Sequence, residues 1–157
     1  MRKNFMVRPA SLILFPSVLL AACGILGVGE DGNRDLLERN RRRWAENAPA
    51  NYHFVFQRVC FCPLEIVSPV EVVVRGGVVV SRTYVQTGQP VTTQHTALFP
   101  AIEGVFDVIV DALDRGADRL EVTYDGRYGF PTDATFDYVL NAVDDELAFR
   151  VRSFTPD

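Results

Sequence analysis

Two valine-rich runs separated by a pair of glycines constrain this chain more than any other feature. Pro69–Arg75 and Val78–Val85 flank Gly76-Gly77. A two-residue hairpin loop of the primed type needs positive φ at both central positions, which glycine adopts without steric cost. An antiparallel pair is therefore predicted in the middle of the chain. A lone hairpin is not stable in water and requires further strands or a helix. Tyr52–Val59 supplies a third strand, with Tyr52, Phe54 and Phe56 on one face. Later in the chain Leu120, Val122 and Tyr124 alternate with Glu121, Thr123 and Asp125. Thr132–Val139 and Leu147–Phe154 read as two more strands, the last with Leu147, Phe149 and Val151 facing one way.

Two helices accompany these strands. Asn33 can cap the first, with Asp35 in its first turn, and Pro49 ends it. Leu37, Asn40, Trp44 and Ala48 share one side, and Arg39, Arg41, Arg42 and Arg43 cover the rest. The arginines read as a solvated face or a binding patch. The second helix spans about Thr96–Arg115, and Pro100 moves its regular part to the residues beyond. Leu98, Ile102, Val105, Ile109 and Ala112 form its apolar stripe, and Gly116 is a natural C-cap.

The order of a helix and three strands thus occurs twice. The first turns of the halves also correspond, as Cys60-Phe61-Cys62-Pro63 and Tyr128-Gly129-Phe130-Pro131. A duplicated helix-plus-three-strand unit is one explanation, and a single unrepeated layer is the other. Both lead to an α+β fold, with two amphipathic helices packed on one face of an antiparallel sheet of about six strands. The other sheet face must then be polar or covered, and an exposed aromatic patch would mark a partner site.

The first 23 residues read as an address. Arg2, Lys3 and Arg8 precede an apolar run from Ala10 to Leu20, which closes with Ala21, Ala22 and Cys23. The run is too short for a bilayer span of about 20 residues, and Pro16 interrupts it. Leu20-Ala21-Ala22-Cys23 resembles the bacterial lipobox. That resemblance implies removal of residues 1–22 and lipidation of Cys23. Gly24 stands where Asp would imply retention at the inner membrane, so the periplasmic face of the outer membrane is expected in a Gram-negative host. Residues 23–32 then form the lipidated cysteine and a Gly-rich tether, and residues 33–157 a single domain. From Cys23 onward the chain has thirteen Arg, no Lys and twenty Asp plus Glu, a net charge of −7. This charge repels anionic headgroups, so the domain is expected to stand off the membrane, and it argues against nucleic acid as a partner.

Cys60-Phe61-Cys62 is the chief chemical feature of the domain. With Cys23 consumed by lipid, an exported chain holds one remaining pair in an oxidising compartment. Residues i and i+2 of a strand lie near the upper Cα limit for a disulfide, and a bend at Pro63 brings them into range. A structural disulfide is the expected use. A redox role lacks a visible neighbour to lower a thiol pKa, and zinc would need two further ligands that His53 and His95 are not spaced to supply. Asp125, Asp133, Asp137, Asp144, Asp145 and Glu146 could gather around a divalent cation, but their spacing matches no calcium loop. No nucleophile elbow, phosphate loop or HExxH motif is present. No cofactor, metal site or catalytic residue is assigned.

The ordered landmarks are Trp44, Asn51-Tyr52, Cys60-Phe61-Cys62, Gly76-Gly77, Leu98-Phe99, Tyr124-Asp125, Gly129-Phe130-Pro131-Thr132, Asp137 and Asp144-Asp145-Glu146. Together they resemble the uncharacterised bacterial family called domain of unknown function 6174, with many predicted lipoproteins. The resemblance covers about Leu36–Phe154 and supplies no catalytic residues. The reading is a lipid-anchored cell-envelope protein that binds another envelope component without catalysis. Phe61, Tyr128, Phe130, Asp125, Asp144 and Asp145 are its candidate interaction residues. A small-ligand or divalent-cation binder, or a thiol–disulfide protein using Cys60 and Cys62, are the alternatives.

Overall fold

The computed structural model of the protein describes residues 30–138 and 147–157. The expected signal segment, Cys23 and the acidic residues 144–146 lie outside them. Helix α1 spans Glu30–Asn47, strand β1 Asn51–Val59 and the short helix α2 Leu64–Val67. Strands β2 (Val70–Arg75) and β3 (Val78–Tyr84) follow, then a 3-10 turn at Thr93–Leu98 and helix α3 at Ile102–Asp114. Strands β4 (Arg119–Tyr124), β5 (Pro131–Asp137) and β6 (Leu147–Pro156) complete the chain. The fold is α+β, with one six-stranded antiparallel sheet in the order β3-β2-β1-β6-β5-β4.

The local reasons are those of the sequence, with two corrections. Gly76 and Gly77 take φ of 56° and 76°, the primed turn their spacing requires. Gly116, at φ 66°, ends α3 and donates to the Leu113 carbonyl, while Ala117 donates to that of Ala112. However, α1 begins at Glu30, so the last three residues of the expected tether are helical. Asn33 is therefore inside the helix and is no N-cap. Its amide donates to the Leu120 carbonyl at 3.3 Å and ties α1 to β4. The second helix also divides, because Pro100 separates the 3-10 turn from α3.

Register fixes which side of the sheet is buried. Tyr52, Phe54 and Phe56 lie opposite Val74, Val72 and Val70, and Phe56 opposite Val151. Ala134 lies opposite Phe149, and Leu120 opposite Phe136. Opposed residues share a face, and all of these except the half-buried Leu120 are buried. The core also takes Leu37 and Trp44 from α1 and Ile102, Val105, Phe106, Ile109, Ala112 and Leu113 from α3. The opposite face carries Arg150, Arg152, Asp133, Thr123 and Glu121, so it is polar, with Arg152 paired to Asp133 and Arg119 to Glu121.

The strand order bears on duplication. Carrying β1, β2 and β3 onto β4, β5 and β6 shifts each by three places and reverses its direction. A rotation can do this only by turning the sheet over, which exchanges its two faces. Both halves bury the same face. A duplicated helix-plus-three-strand unit therefore does not describe this sheet.

One further departure lies in β6. The pairing shifts by a residue between His53 and Val55, and Ser153 opposite this point has φ 52°. This bulge reverses the alternation and turns Phe154 to the core side.

Candidate functional site

The two aromatic–proline turns lie at opposite ends of the sheet. Cys60-Phe61-Cys62-Pro63 follows the end of β1, where Val59 pairs with Ala148. The turn at 125–130 joins β4 to β5 at the end where β1 begins.

The 125–130 turn is tied down from every side. Asp125 accepts from the backbone N–H groups of Arg127 and Tyr128, and its own N–H donates to the Phe130 carbonyl at 2.8 Å. Gly129 has φ 83°, and a Cβ there would stand 2.7 Å from the Asn40 carbonyl oxygen of α1. That close approach lets the turn lie directly on α1. Phe130 then enters an aromatic cluster, 4.5 Å from Phe154 and 6.0 Å from Trp44 between ring centroids. Tyr128 packs on Phe154 at 5.3 Å, and Trp44 meets Tyr52 edge-on at 5.4 Å. A polar clamp extends this cluster to α3. The Trp44 indole donates to Glu103 at 2.9 Å and the Tyr52 hydroxyl to the same carboxylate at 3.3 Å, while Ile102 N–H donates to that hydroxyl. Burial first, then the neighbouring Glu103 charge, push the Tyr52 phenol above its ordinary range. Phe130, Tyr128 and Asp125, expected as interaction residues, are thus engaged within the molecule, and Phe130 is buried.

The Cys60–Cys62 turn is built otherwise. The two sulfurs lie at disulfide distance, with Cα atoms 5.2 Å apart. Pro63 leads into α2, where its carbonyl accepts from Ile66 and Val67. Gln57 donates to the Val67 carbonyl at 3.3 Å, the Tyr84 hydroxyl donates to that of Glu65 at 3.0 Å, and Val85 N–H donates to Pro69. These bonds hold the base of the turn against β1 and β3. Among the described residues its tip makes no such bonds: Phe61 is 89% exposed and Leu64 72%, with Val59 at 37% beside them. A cross-linked turn with a fixed base presents an apolar tip, which is suited to contact.

The remaining candidates are dispersed. His53 bonds Asp157 at 3.1 Å, and His95 faces Thr92 at 3.4 Å. Asp133 is paired with Arg152 at 2.6 Å, and Asp125 closes its own turn, so these two do not share a site, while Asp144, Asp145 and Glu146 lie outside the described residues. No cluster of three or more His, Cys, Asp or Glu among the described residues could hold a metal ion. A cleft of about 760 Å³ lies between the start of α1, the end of α3 and β4, lined by Leu36, Leu113, Asp118 and Glu121 among others. A smaller one of about 380 Å³ beneath α3 contains Arg58 and Tyr138. Burial lowers the Arg58 pKa, and its Nε has no hydrogen-bond partner among the described residues. No helix among the described residues is long and apolar enough to cross a membrane.

Sequence reasoning missed α2, Glu103 and Phe154. Helix α2 has only four residues, too few for a period to show. The bulge that turns Phe154 inward has no glycine or proline to announce it.

A model of a family of unknown function, DUF6174, matches residues 36–156. No curated protein and no solved structure matches the chain.

Proposed function

This chain belongs to DUF6174, a family whose description carries no role, and we propose that it is a lipid-anchored bacterial cell-envelope protein whose domain binds another envelope component without catalysis. The observation that supports the binding reading is Phe61, 89% exposed on a turn closed between Cys60 and Cys62. Leu64 and Val59 are exposed beside it, and an exposed apolar patch, unlike a lone apolar residue, marks an interaction site. The basic start, apolar run and Leu20-Ala21-Ala22-Cys23 ending support the anchor. Acyl chains on Cys23 hold the protein at the membrane, at about 0.8 kcal/mol for each buried methylene. In a Gram-negative host the membrane is the outer one, on its periplasmic face. Helices α1 and α3 bury side chains in the core, and the polar face and the 60–64 tip are among the surfaces left accessible.

Two measurements test this. Metabolic labelling with a palmitate analogue should mark the chain and not its Cys23→Ser variant. A photo-crosslinker at position 61 in living cells should capture a discrete envelope component more strongly than one at the exposed Thr123. Equal capture at both positions would refute the tip as the binding surface.

A further inference from the structure

We propose that the component contacted by the Phe61 tip is the phospholipid bilayer into which the chain's own anchor inserts. This inference rests on the lipidation of Cys23 in the proposed function. Its further support is the direction of α1 and the length of chain before it.

Register places the start of α1 at the same end of the sheet as the tip. Asn33 donates to the Leu120 carbonyl. Leu120 lies opposite Phe136, and Phe136 opposite Leu147. The adjoining residue Ala148 pairs with Val59, the last residue before the Cys60–Cys62 turn. Arg34, one residue further on, pairs with Asp114 at the end of α3. The far end of α1 carries Trp44, which lies on Tyr52 at the beginning of β1. Helix α1 therefore enters the domain at the end where Phe61 projects. The two points are separated sideways by three inter-strand spacings from β1 to β4, roughly 14 Å.

Only residues 24–29 separate Cys23 from Glu30. Seven Cα steps span about 25 Å at most. Charge alone predicts a domain that stands off the membrane, but an anchor on so short a lead holds this end against it and keeps the tip at an effective concentration in the millimolar range. A contact too weak to recruit a free protein is sufficient under that constraint. Phe61, Leu64 and Val59 supply the apolar surface, and the exposed Glu65 at the rim sets its depth near the headgroups. The charge of −7 still opposes anionic lipid. The tip should therefore enter zwitterionic bilayers more readily than those rich in phosphatidylglycerol. The opposite end offers a built-in control: Val78, 65% exposed beside the Gly76-Gly77 turn, should face away from the membrane.

The test uses the acylated full-length product in vesicles of phosphatidylcholine and phosphatidylethanolamine, part of the phosphatidylcholine being brominated on its acyl chains. Phe61→Trp should lose at least half of its added emission to the bromine. Val78→Trp should lose less than a tenth, with wild type correcting for the buried Trp44. Replacing a third of the lipid with phosphatidylglycerol should reduce the quenching at position 61 at least twofold. An acylated, vesicle-bound Phe61→Trp protein that is quenched no more than Val78→Trp overturns this inference alone. So does a crosslink from residue 61 in cells to a protein and not to lipid. A chain whose mass shows no acyl group on Cys23 overturns the proposed function as well.

Discussion

Phe61 stands two residues before Pro63 and Phe130 directly before Pro131, each in a turn after the first strand of a half, yet Phe61 is 89% exposed and Phe130 only 5%. The difference comes from what lies above each turn. Gly129 allows the second turn to lie on the Asn40 carbonyl of α1, and the ring beyond it fills the space among Trp44, Tyr52 and Phe154. The first turn extends past the end of β1 with no helix over it among the described residues, and its sulfur cross-link closes the loop on itself. A shared aromatic–proline pattern therefore specifies a bend and leaves burial to the surrounding elements. One turn is part of the core, and the other is left free to act.

The largest test of that contrast is to truncate each ring. Phe130→Ala should cost about 3–4 kcal/mol, because it opens a cavity inside an aromatic cluster. Phe61→Ala should change stability by no more than about 0.5 kcal/mol, since little surface is recovered on folding. Gly129→Ala should approach the Phe130→Ala loss. It adds a clash with the Asn40 oxygen to a positive φ, whereas Gly77→Ala meets no atom within 4 Å and should cost only about 1 kcal/mol. Urea midpoints of the four variants decide the matter. Equal losses for Phe61→Ala and Phe130→Ala would show that the tip is buried after all.

Much of this fold could be read from the residues, and the gaps have physical causes. The Gly76-Gly77 turn, the apolar stripe Ile102–Val105–Ile109–Ala112 and the Gly116 cap depend on local chemistry, so local patterns disclose them. The environment of Phe130 depends on Trp44, 86 positions before it, and Phe154, 24 positions after it, which no local pattern contains. The Ser153 bulge is likewise set by pairing with β1 and not by its own sequence. Element order and the corresponding first turns suggest duplication, and only the strand register shows that the halves bury one common face. Of the candidate site, the cross-linked tip was legible because cysteine spacing limits geometry directly. Residues 144 and 145 lie outside the described residues.

The clamp beneath the buried turn gives a second, smaller effect that depends on pH. Burial and Glu103 raise the Tyr52 phenol, and burial pushes Tyr124 up to about 12. Both phenols are neutral in the fold, whereas the unfolded chain ionises them near pH 10. Below pH 10 the two states hold the same protons and stability is flat. Above it the unfolded chain releases protons first, so stability falls as pH rises from 10 to about 12. The urea midpoint should be constant from pH 7 to 9 and drop over that window. Tyr124→Phe should make the decline shallower. Tyr52→Phe should cost about 1–2 kcal/mol even at neutral pH, because it leaves the Ile102 N–H without its acceptor. A midpoint unchanged to pH 12 would contradict the burial of both rings.

The exposed turn should respond much less. Replacing Cys60 and Cys62 together by Ser opens a ring of only three residues, which limits the entropic contribution to about 1.5 kcal/mol. The stability loss should fall below that value, while crosslinking through position 61 should fall severalfold as the tip loses its fixed shape. Retention of full crosslinking would show that the helix α2 bonds from Gln57 and Tyr84 suffice to hold the tip.

The smallest effect lies three residues beyond Phe130, on the polar face of the same strand. Burial raises the Asp133 carboxyl, but this is outweighed by the Arg152 hydrogen bonds and charge and by the Thr132 and Thr123 hydroxyls, so it is held below its ordinary value of 3.8. The pair is half-exposed on both sides, which limits its worth to a few tenths of a kcal/mol. A depressed carboxyl stabilises the fold above the unfolded pKa, and that contribution is lost as pH falls through the lower folded value. Asp133→Asn should therefore lower stability slightly at pH 7, less in 0.5 M salt, and progressively less as pH falls below the ordinary carboxylate range. Phe130→Ala should keep its full cost under all three conditions, because cavity formation involves no charge. Comparing these two variants separates apolar from ionic stabilisation within one short segment. If salt were to diminish both losses alike, the buried turn would owe its stability to charge, and the contrast with the Phe61 turn would need another cause.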